Sequence, residues 1–402
     1  MVYLQAKRYA TKATRFMDQA SFSEIDAAFS AGGIESVLDA LENRLRDERK
    51  FHELFECLKM RVRHSLNLPL LYSDAGDDLE ADTQDALEQG LIDACRTVGT
   101  LLLDNGQIRE GWTYLRPVGD RKLIHERLKT IQITEDNVDQ VIEVCLHESV
   151  DLEKGFQLLL EHYGTCNSIT TFESSMYGHP RIERCIGAKL LVEHVHAELL
   201  ENILGHIERE ENKRPDTKTI AELLDGRNWL TADGAYHIDV THLSSVVRIG
   251  RDVTDSAALE KALDLTHYGQ RLGDQLQYPG DAPFENHYKS HATYFRALLG
   301  QSVDEGLAYF REQAERCSPH EETTAAIEIY IDLLHRIGRT TEAIDAMTRL
   351  IPSGMQTTGQ APSLLSLCEA ADNYDSIRAQ CRENGDLLGY AMGVVKASSG
   401  KR

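Results

Sequence analysis

The sequence predicts an all-α protein assembled from stacked helical hairpins. Apolar residues recur at the spacing of one helix face, i, i+3, i+4, i+7 and i+11, in the stripe formed by Ile34, Val37, Leu38, Leu41 and Leu45. Short polar or glycine-containing turns separate such stripes, and helices joined by a few residues fold back on each other. Only residues 236–243 alternate as a strand would, and one short strand cannot form a sheet.

The first half of the chain shows this helical pattern repeatedly. A second apolar stripe follows over residues 51–62, while Gly32 and Gly33 separate the first stripe from an earlier helix. The acidic residues 73–83 predict a loop before a longer helix. Because the pattern continues to residue 211, we predict that residues 1–211 form an N-terminal array of helical hairpins.

The second half of the chain is interrupted twice. Residues 212–240 are the least regular part, with a proline, two glycines and a tryptophan, and they predict a junction or an inserted loop. Helical patterning resumes over residues 241–351. Residues 352–362 are rich in glycine, proline and polar side chains, so residues 352–402 are expected to hold a linker, a short terminal hairpin and a tail.

One local pattern recurs along the chain: a helix end, a polar turn, an acid near a small residue, and then a large apolar residue. The small residues are Gly111, Gly155, Gly306 and Ala343. Two helices approach closely only where one of them carries no bulky side chain. These positions therefore predict close helix crossings.

Residues 325–350 resemble the tetratricopeptide repeat, with a Gly-Arg turn at residues 338–339 and Glu-Ala-Ile at residues 342–344 opening the second helix. The resemblance implies a superhelix of stacked hairpins whose concave surface binds a partner. The first two copies of the recurring pattern lie 44 residues apart, against a family period of ~34, so they are divergent. A closed helical array is the alternative architecture.

The charge balance restricts the partners. Lys and Arg number 43 against 65 Asp and Glu, which gives a net charge of −22. A field of that sign repels phosphate backbones and anionic membrane surfaces, and no run of about 18 apolar residues predicts a membrane-spanning helix. We therefore expect a protein, a peptide or a small polar ligand as partner, and neither nucleic acid nor membrane. The oligomeric state is left open.

The eight cysteines are dispersed, without a Cys-x-x-Cys pair. Together with the absence of a secretory signal pattern, they predict buried, reduced thiols and a cytoplasmic location. Cys166 is the candidate nucleophile, because it follows Gly164 and because His162, four residues earlier, would lower the pKa of its thiol. The alternative is a buried thiol after a helix-ending glycine.

Histidine is concentrated in the middle of the chain, where ten of the sixteen lie between residues 162 and 291. In an extended segment His237 and Asp239 would project to the same side, and a turn would bring His242 beside them. Two imidazoles and a carboxylate suit a divalent transition metal such as zinc or iron.

Three further histidines would complete such a metal shell. His287 and His291 lie one helical turn apart, and His196 lies on the apolar face of its helix. For each of these histidines, the alternative is a core side chain bonded to a neighbour. Arg248 and Arg251 would clamp an anionic ligand bidentately, and the alternative for them is ion pairing on the surface.

These residues leave three functions open. The first is a helical-repeat binding or scaffold protein that holds a protein, peptide or small ligand on its concave surface. The second is a metal-dependent enzyme of the hydrolase or oxygenase type, in which Tyr236 or His162 would be the acid–base group. The third is a small-molecule receptor that uses the same histidines and arginines without catalysis.

Overall fold

The computed structural model describes residues 19–70, 79–318, 323–352 and 354–399. Within these residues every regular element is helical and no strand occurs, which confirms the predicted all-α class. The chain divides into two compact units, Met1–Gly155 and Phe156–Arg402. This boundary differs from the predicted junction, because residues 212–240 lie wholly within the second unit.

The first unit consists of helices that pack against their neighbours in sequence. Its first helix is kinked where the backbone of Gly32 and Gly33 leaves the helical conformation, as the two glycines predict. The predicted loop at residues 73–83 lies mostly outside the described residues, and the helix that follows it begins at Ala81. The helices are α1 Gln19–Asp47, α2 Phe51–Ser65, α3 Ala81–Asp104, α4 Ile108–Leu115, α5 Arg121–Thr130 and α6 Val138–Ile142.

In the second unit, helices α11 to α15 each pack on the next, and α8 packs on α10 and α11. The boundary between the units lies near the start of α7. The helices are α7 Leu152–Thr171, α8 Arg181–Glu211, α9 Ile220–Leu224, α10 Val240–Ile249, α11 Ser256–Gly269, α12 His287–Leu298, α13 Val303–Arg316, α14 Ala325–Arg336, α15 Thr340–Leu350, α16 Leu364–Ala370, α17 Asp375–Glu383 and α18 Leu387–Ser399.

Two expectations about the second unit need correction. The alternating residues 236–243 form no strand, because Asp239 caps α10 and the helix begins at Val240. The chain closes with three helices, α16 to α18, where the sequence predicts a hairpin and a tail, and α18 extends to Ser399. In the described part of the chain, no helix combines the length and apolar character that crossing a lipid bilayer requires.

The predicted close crossings are present at the glycines. A Cβ atom on Gly111 would lie 2.9 Å from the Leu103 side chain, and one on Gly306 would lie 2.7 Å from the Ala297 Cβ. At Gly155 the Leu146 side chain would lie 2.6 Å away. Because real Cβ atoms do not approach other atoms so closely, these positions need glycine for packing.

Candidate functional site

A cavity of about 770 Å³ lies within the second unit. Its walls come from α10, the 3₁₀ turn Gly250–Asp252, residues 278–284, the start of α12, the start of α14 and residues 358–360. Its volume lies in the range of ~300–1,000 Å³ that is typical of small-molecule sites. Four residues that the sequence singles out, Arg248, Arg251, His287 and His291, line this one cavity.

Arg251 is the central cation of the cavity. Its Nε donates to the carbonyl oxygen of Arg248 at 3.1 Å, and one terminal nitrogen donates to the side-chain oxygen of Gln360 at 3.3 Å. Its guanidinium carbon lies 4.9 Å from the centroid of the Phe284 ring, a cation–π arrangement. Arg251 lines this cavity and also a smaller one of about 300 Å³ that contains Asp252 and Asp332, and burial lowers its pKa.

Asp252, which follows Arg251 in the chain, and Glu173 are bound to other arginines. Asp252 accepts from Arg184 at 2.7 and 3.0 Å and lies 3.5 Å from Arg181. Glu173 pairs with Arg248, whose side chain is about two-fifths exposed. Among the described residues, no carboxylate forms an ion pair with Arg251. The predicted surface ion pairing thus holds for Arg248 and does not hold for Arg251.

His287 and His291 are neutral imidazoles with defined tautomers. His287 Nε2 lies 3.0 Å from the Ser244 carbonyl oxygen, and His291 Nδ1 lies 2.7 Å from the His287 carbonyl oxygen. Because a carbonyl oxygen only accepts, these two nitrogens carry the protons, and His287 Nδ1 and His291 Nε2 keep lone pairs. Burial lowers the pKa of His287 to about 4 and that of His291 well below its ordinary value, and Arg248 and Arg251 reinforce both shifts.

A buried acid that the sequence analysis missed holds one wall of the cavity. Glu328 on α14 is fully buried, and its carboxylate accepts the backbone N–H groups of Thr358 at 2.6 Å and Gln360 at 2.8 Å. It also accepts the hydroxyl of Thr324 at 2.5 Å. The predicted linker, residues 352–362, is therefore tied to the core and forms part of the site.

A second buried acid on the same helix holds a further cation. Asp332 is fully buried, accepts the Tyr294 hydroxyl at 2.7 Å and pairs with Arg181. Although burial by itself lowers the pKa of Arg181, the charge and hydrogen bond of Asp332 raise that pKa above its ordinary value. Arg336 donates to the backbone carbonyl of Arg251 at 2.5 Å. No sequence motif marks Glu328 or Asp332, because only the fold shows that their helix is buried.

The other predicted metal ligands lie elsewhere in the second unit. His237 bonds to His206 at 2.8 Å and to the Tyr268 hydroxyl at 3.0 Å, and burial lowers its pKa to about 4. Asp239 caps α10 and accepts the backbone N–H of His242 at 3.3 Å. His237 and Asp239 border a shallow pocket on the α8 side, away from the residues that line the 770 Å³ cavity.

His196 is bonded to Asp264 at 2.9 Å, as expected of a core histidine with a bonded neighbour. The six predicted ligands are thus divided among three environments. In the part of the chain that the structure describes, no group of three or more His, Cys, Asp or Glu side chains is placed to hold a metal ion. Binding of zinc or iron stays a prediction, because the six candidate ligands do not lie together around one position.

The remaining candidates are exposed. His162 and Cys166 lie at the surface on either side of the non-helical Gly164, and no hydrogen bond joins their side chains. The expectation of a buried Cys166 thiol is therefore wrong. Tyr236 is 58% exposed.

No family model, curated protein or solved structure matches the chain. A function for the cavity therefore has to follow from its own geometry.

Proposed function

We propose that the second unit binds a small anionic ligand in the 770 Å³ cavity, with Arg251 as the principal anion-binding residue. The observation that carries this proposal is the guanidinium of Arg251, which lines the cavity and has no carboxylate partner among the described residues. A charge removed from water is costly unless it is paired, and a planar guanidinium matches the two oxygens of a carboxylate or phosphate group.

The surroundings of Arg251 favour a bound ligand over free solvent. Phe284 and Gln360 restrict the position of its side chain, so little side-chain entropy is lost on binding. The acidic surface repels anions at long range, since the net charge is −22. Asp281, which lies at the exposed rim of the cavity, adds to this repulsion. The affinity would therefore come from contacts within the cavity.

The same geometry favours binding over acid–base or metal chemistry. A general base works best with a pKa near the working pH, whereas burial holds the pKa of His287 at about 4. A divalent cation beside His287 would be repelled by Arg248 and Arg251. The metal-dependent enzyme is therefore the alternative, and zinc titration separates it from the anion receptor.

The tetratricopeptide-like superhelix and its concave surface are also proposals. They are supported by the hairpin of α14 and α15, where Gly338 has a positive φ of 83° and Ala343 is fully buried, as the resemblance implies. In this proposal α14, the first helix of the hairpin, forms part of the wall of the ligand cavity. An extended peptide on the concave surface is the other occupant that the resemblance implies.

Isothermal titration calorimetry tests the proposal with succinate, propionate and propyl phosphate at neutral pH. We expect at least one of these anions to bind the unmodified protein. Arg251→Met should weaken that binding at least about tenfold, because the loss of one charge-assisted contact removes ~1.5–3 kcal/mol. Arg349→Met, at an exposed arginine of α15, is the matched control and should bind as the unmodified protein does.

Two results would overturn the anion receptor. One is the absence of binding by every anion. The other is binding that Arg251→Met leaves unchanged. Zinc binding that is lost in His287→Phe and unaffected by the anions would favour the metal alternative instead.

A further inference from the structure

We infer that the ligand of this cavity is a hydroxy acid, that is, a small oxyanion with a hydroxyl group near its acidic group, and that His287 Nδ1 accepts this hydroxyl. The inference rests on the proposed anion site and names the class of ligand that it takes. It depends on a second polar group in the same cavity, which binding at Arg251 alone does not use.

His287 presents an unused acceptor to the cavity. Its side chain is only 7% exposed, and its Nε2–H is committed to the carbonyl oxygen of Ser244. Nδ1 therefore keeps its lone pair, and no described residue donates a hydrogen bond to it. Because Nδ1 borders the open cavity, a ligand hydroxyl would replace a solvent donor there, and the net gain of such a hydrogen bond is ~0.5–1.5 kcal/mol.

The loop across the cavity leaves this acceptor uncovered. Gly280 lines the cavity, and a Cβ atom built on it would lie 3.4 Å from His287 Nδ1. That Cβ atom would also lie 2.2 Å from the carbonyl oxygen of Phe284, so a side chain at Gly280 is excluded. The absence of a side chain there keeps Nδ1 at the border of the open space.

The nearby charges select a neutral donor. Arg248 and Arg251 line the cavity together with His287, so an ammonium there would meet two like charges, against one carboxylate, Asp281, at the exposed rim. A hydroxyl donates a hydrogen bond without adding charge, while the acidic group of the same molecule meets Arg251. A carboxylate or a phosphate would serve equally as that acidic group.

His291, on the same helix, carries a second acceptor nitrogen that a ligand would not reach. Its Nε2 also lacks a hydrogen-bond partner, but this atom is sealed from solvent and its ring is stacked on Phe284 at 4.1 Å between centroids. A ligand in the open cavity would therefore reach the acceptor on His287 and not the one on His291.

Calorimetry on the unmodified protein tests the inference with pairs of anions that differ by one hydroxyl. The pairs are malate and succinate, lactate and propionate, and 2-hydroxypropyl phosphate and propyl phosphate. In the pair whose acidic group fits, the hydroxylated member should bind about tenfold more tightly, the ratio that one hydrogen bond of ~1.4 kcal/mol gives. Equal affinities within every pair would overturn the inference and leave the anion site standing, whereas no binding at all would overturn both.

Two variants then assign the acceptor. His287→Phe should abolish the preference for the hydroxylated member while binding of the other member persists, and His194→Phe, at an exposed position of α8, should retain the preference. A preference that survives in His287→Phe would also overturn the inference. The far-ultraviolet helical signal of each variant shows that it is folded before its affinities are compared.

Discussion

Gln360 donates its backbone N–H to the carboxylate of Glu328 at 2.8 Å, and its side-chain oxygen accepts a hydrogen bond from Arg251 at 3.3 Å. One residue of a predicted linker thus joins a buried acid of α14 to the cation of the cavity. The position of Arg251 consequently depends on a segment that has no regular secondary structure.

Replacement of Glu328 by Gln should loosen this wall. The carboxylate accepts several backbone and hydroxyl hydrogens, and an amide would turn its own N–H₂ group towards some of those donors. We expect a loss of ~1–3 kcal/mol in the free energy of unfolding, and faster hydrogen exchange at Thr358 and Gln360. Urea denaturation and exchange measured by mass spectrometry check this. Glu342→Gln on α15, whose side chain is half exposed, is the control, and equal losses in both variants would contradict the prediction.

Replacement of Arg251 by Met should change the stability little. Among the described residues the guanidinium has no carboxylate partner, so its removal relieves an unpaired charge at the loss of two hydrogen bonds, and we expect a change within about 1 kcal/mol. Arg181→Met is the comparison, because it leaves the fully buried Asp332 uncompensated and should cost ~3–5 kcal/mol. Thermal or urea unfolding measures both. If Arg251→Met proves as destabilising as Arg181→Met, Arg251 has a structural role, and the proposal that it binds an anion loses its support.

The stability should decline between about pH 6.5 and pH 4. Burial lowers the pKa of His237 and of His287 to about 4, whereas an unfolded histidine titrates near ~6.5. In this interval the unfolded chain binds protons that the folded chain excludes, so each histidine lowers the free energy of unfolding by roughly 1 kcal/mol per pH unit as the pH falls. Above pH 6.5 these two groups have no such effect.

Urea unfolding at several pH values between 7.5 and 4.5 measures this dependence. His237→Gln removes one of the three histidines whose pKa burial lowers, His237, His287 and His291, so the slope against pH should become less steep. His194→Gln, at an exposed position of α8, should leave the slope unchanged. A slope that does not change in His237→Gln would show that other groups cause the decline.

The packing of α12 on α13 should be sensitive to one methyl group. Gly306→Ala would place a Cβ atom 2.7 Å from that of Ala297, and we expect a cost of ~1–3 kcal/mol. Gly205→Ala, within α8, meets only the far end of Arg209 at 3.6 Å and should stabilise the protein by ~0.5–1 kcal/mol through helix propensity. Thermal unfolding compares the two variants, and the same sign of change in both would contradict the packing argument.

The sequence by itself determined the helical class, the glycine kink in α1 and the crossings at Gly111 and Gly306. These features depend on local spacing and on the size of single side chains, which a linear pattern records. It also marked Arg248, Arg251, His287 and His291 as candidates, and the receptor hypothesis joined these arginines and histidines in binding one ligand.

Only the tertiary structure decided which polar groups meet. Arg181 pairs with Asp332 across 151 positions of the chain, and Arg251 reaches Gln360 across 109. No local pattern encodes such pairings, because they depend on which helix faces are buried together. The same packing separated His237 from His287, exposed Cys166 and, in the described part of the chain, left Arg251 without a carboxylate partner.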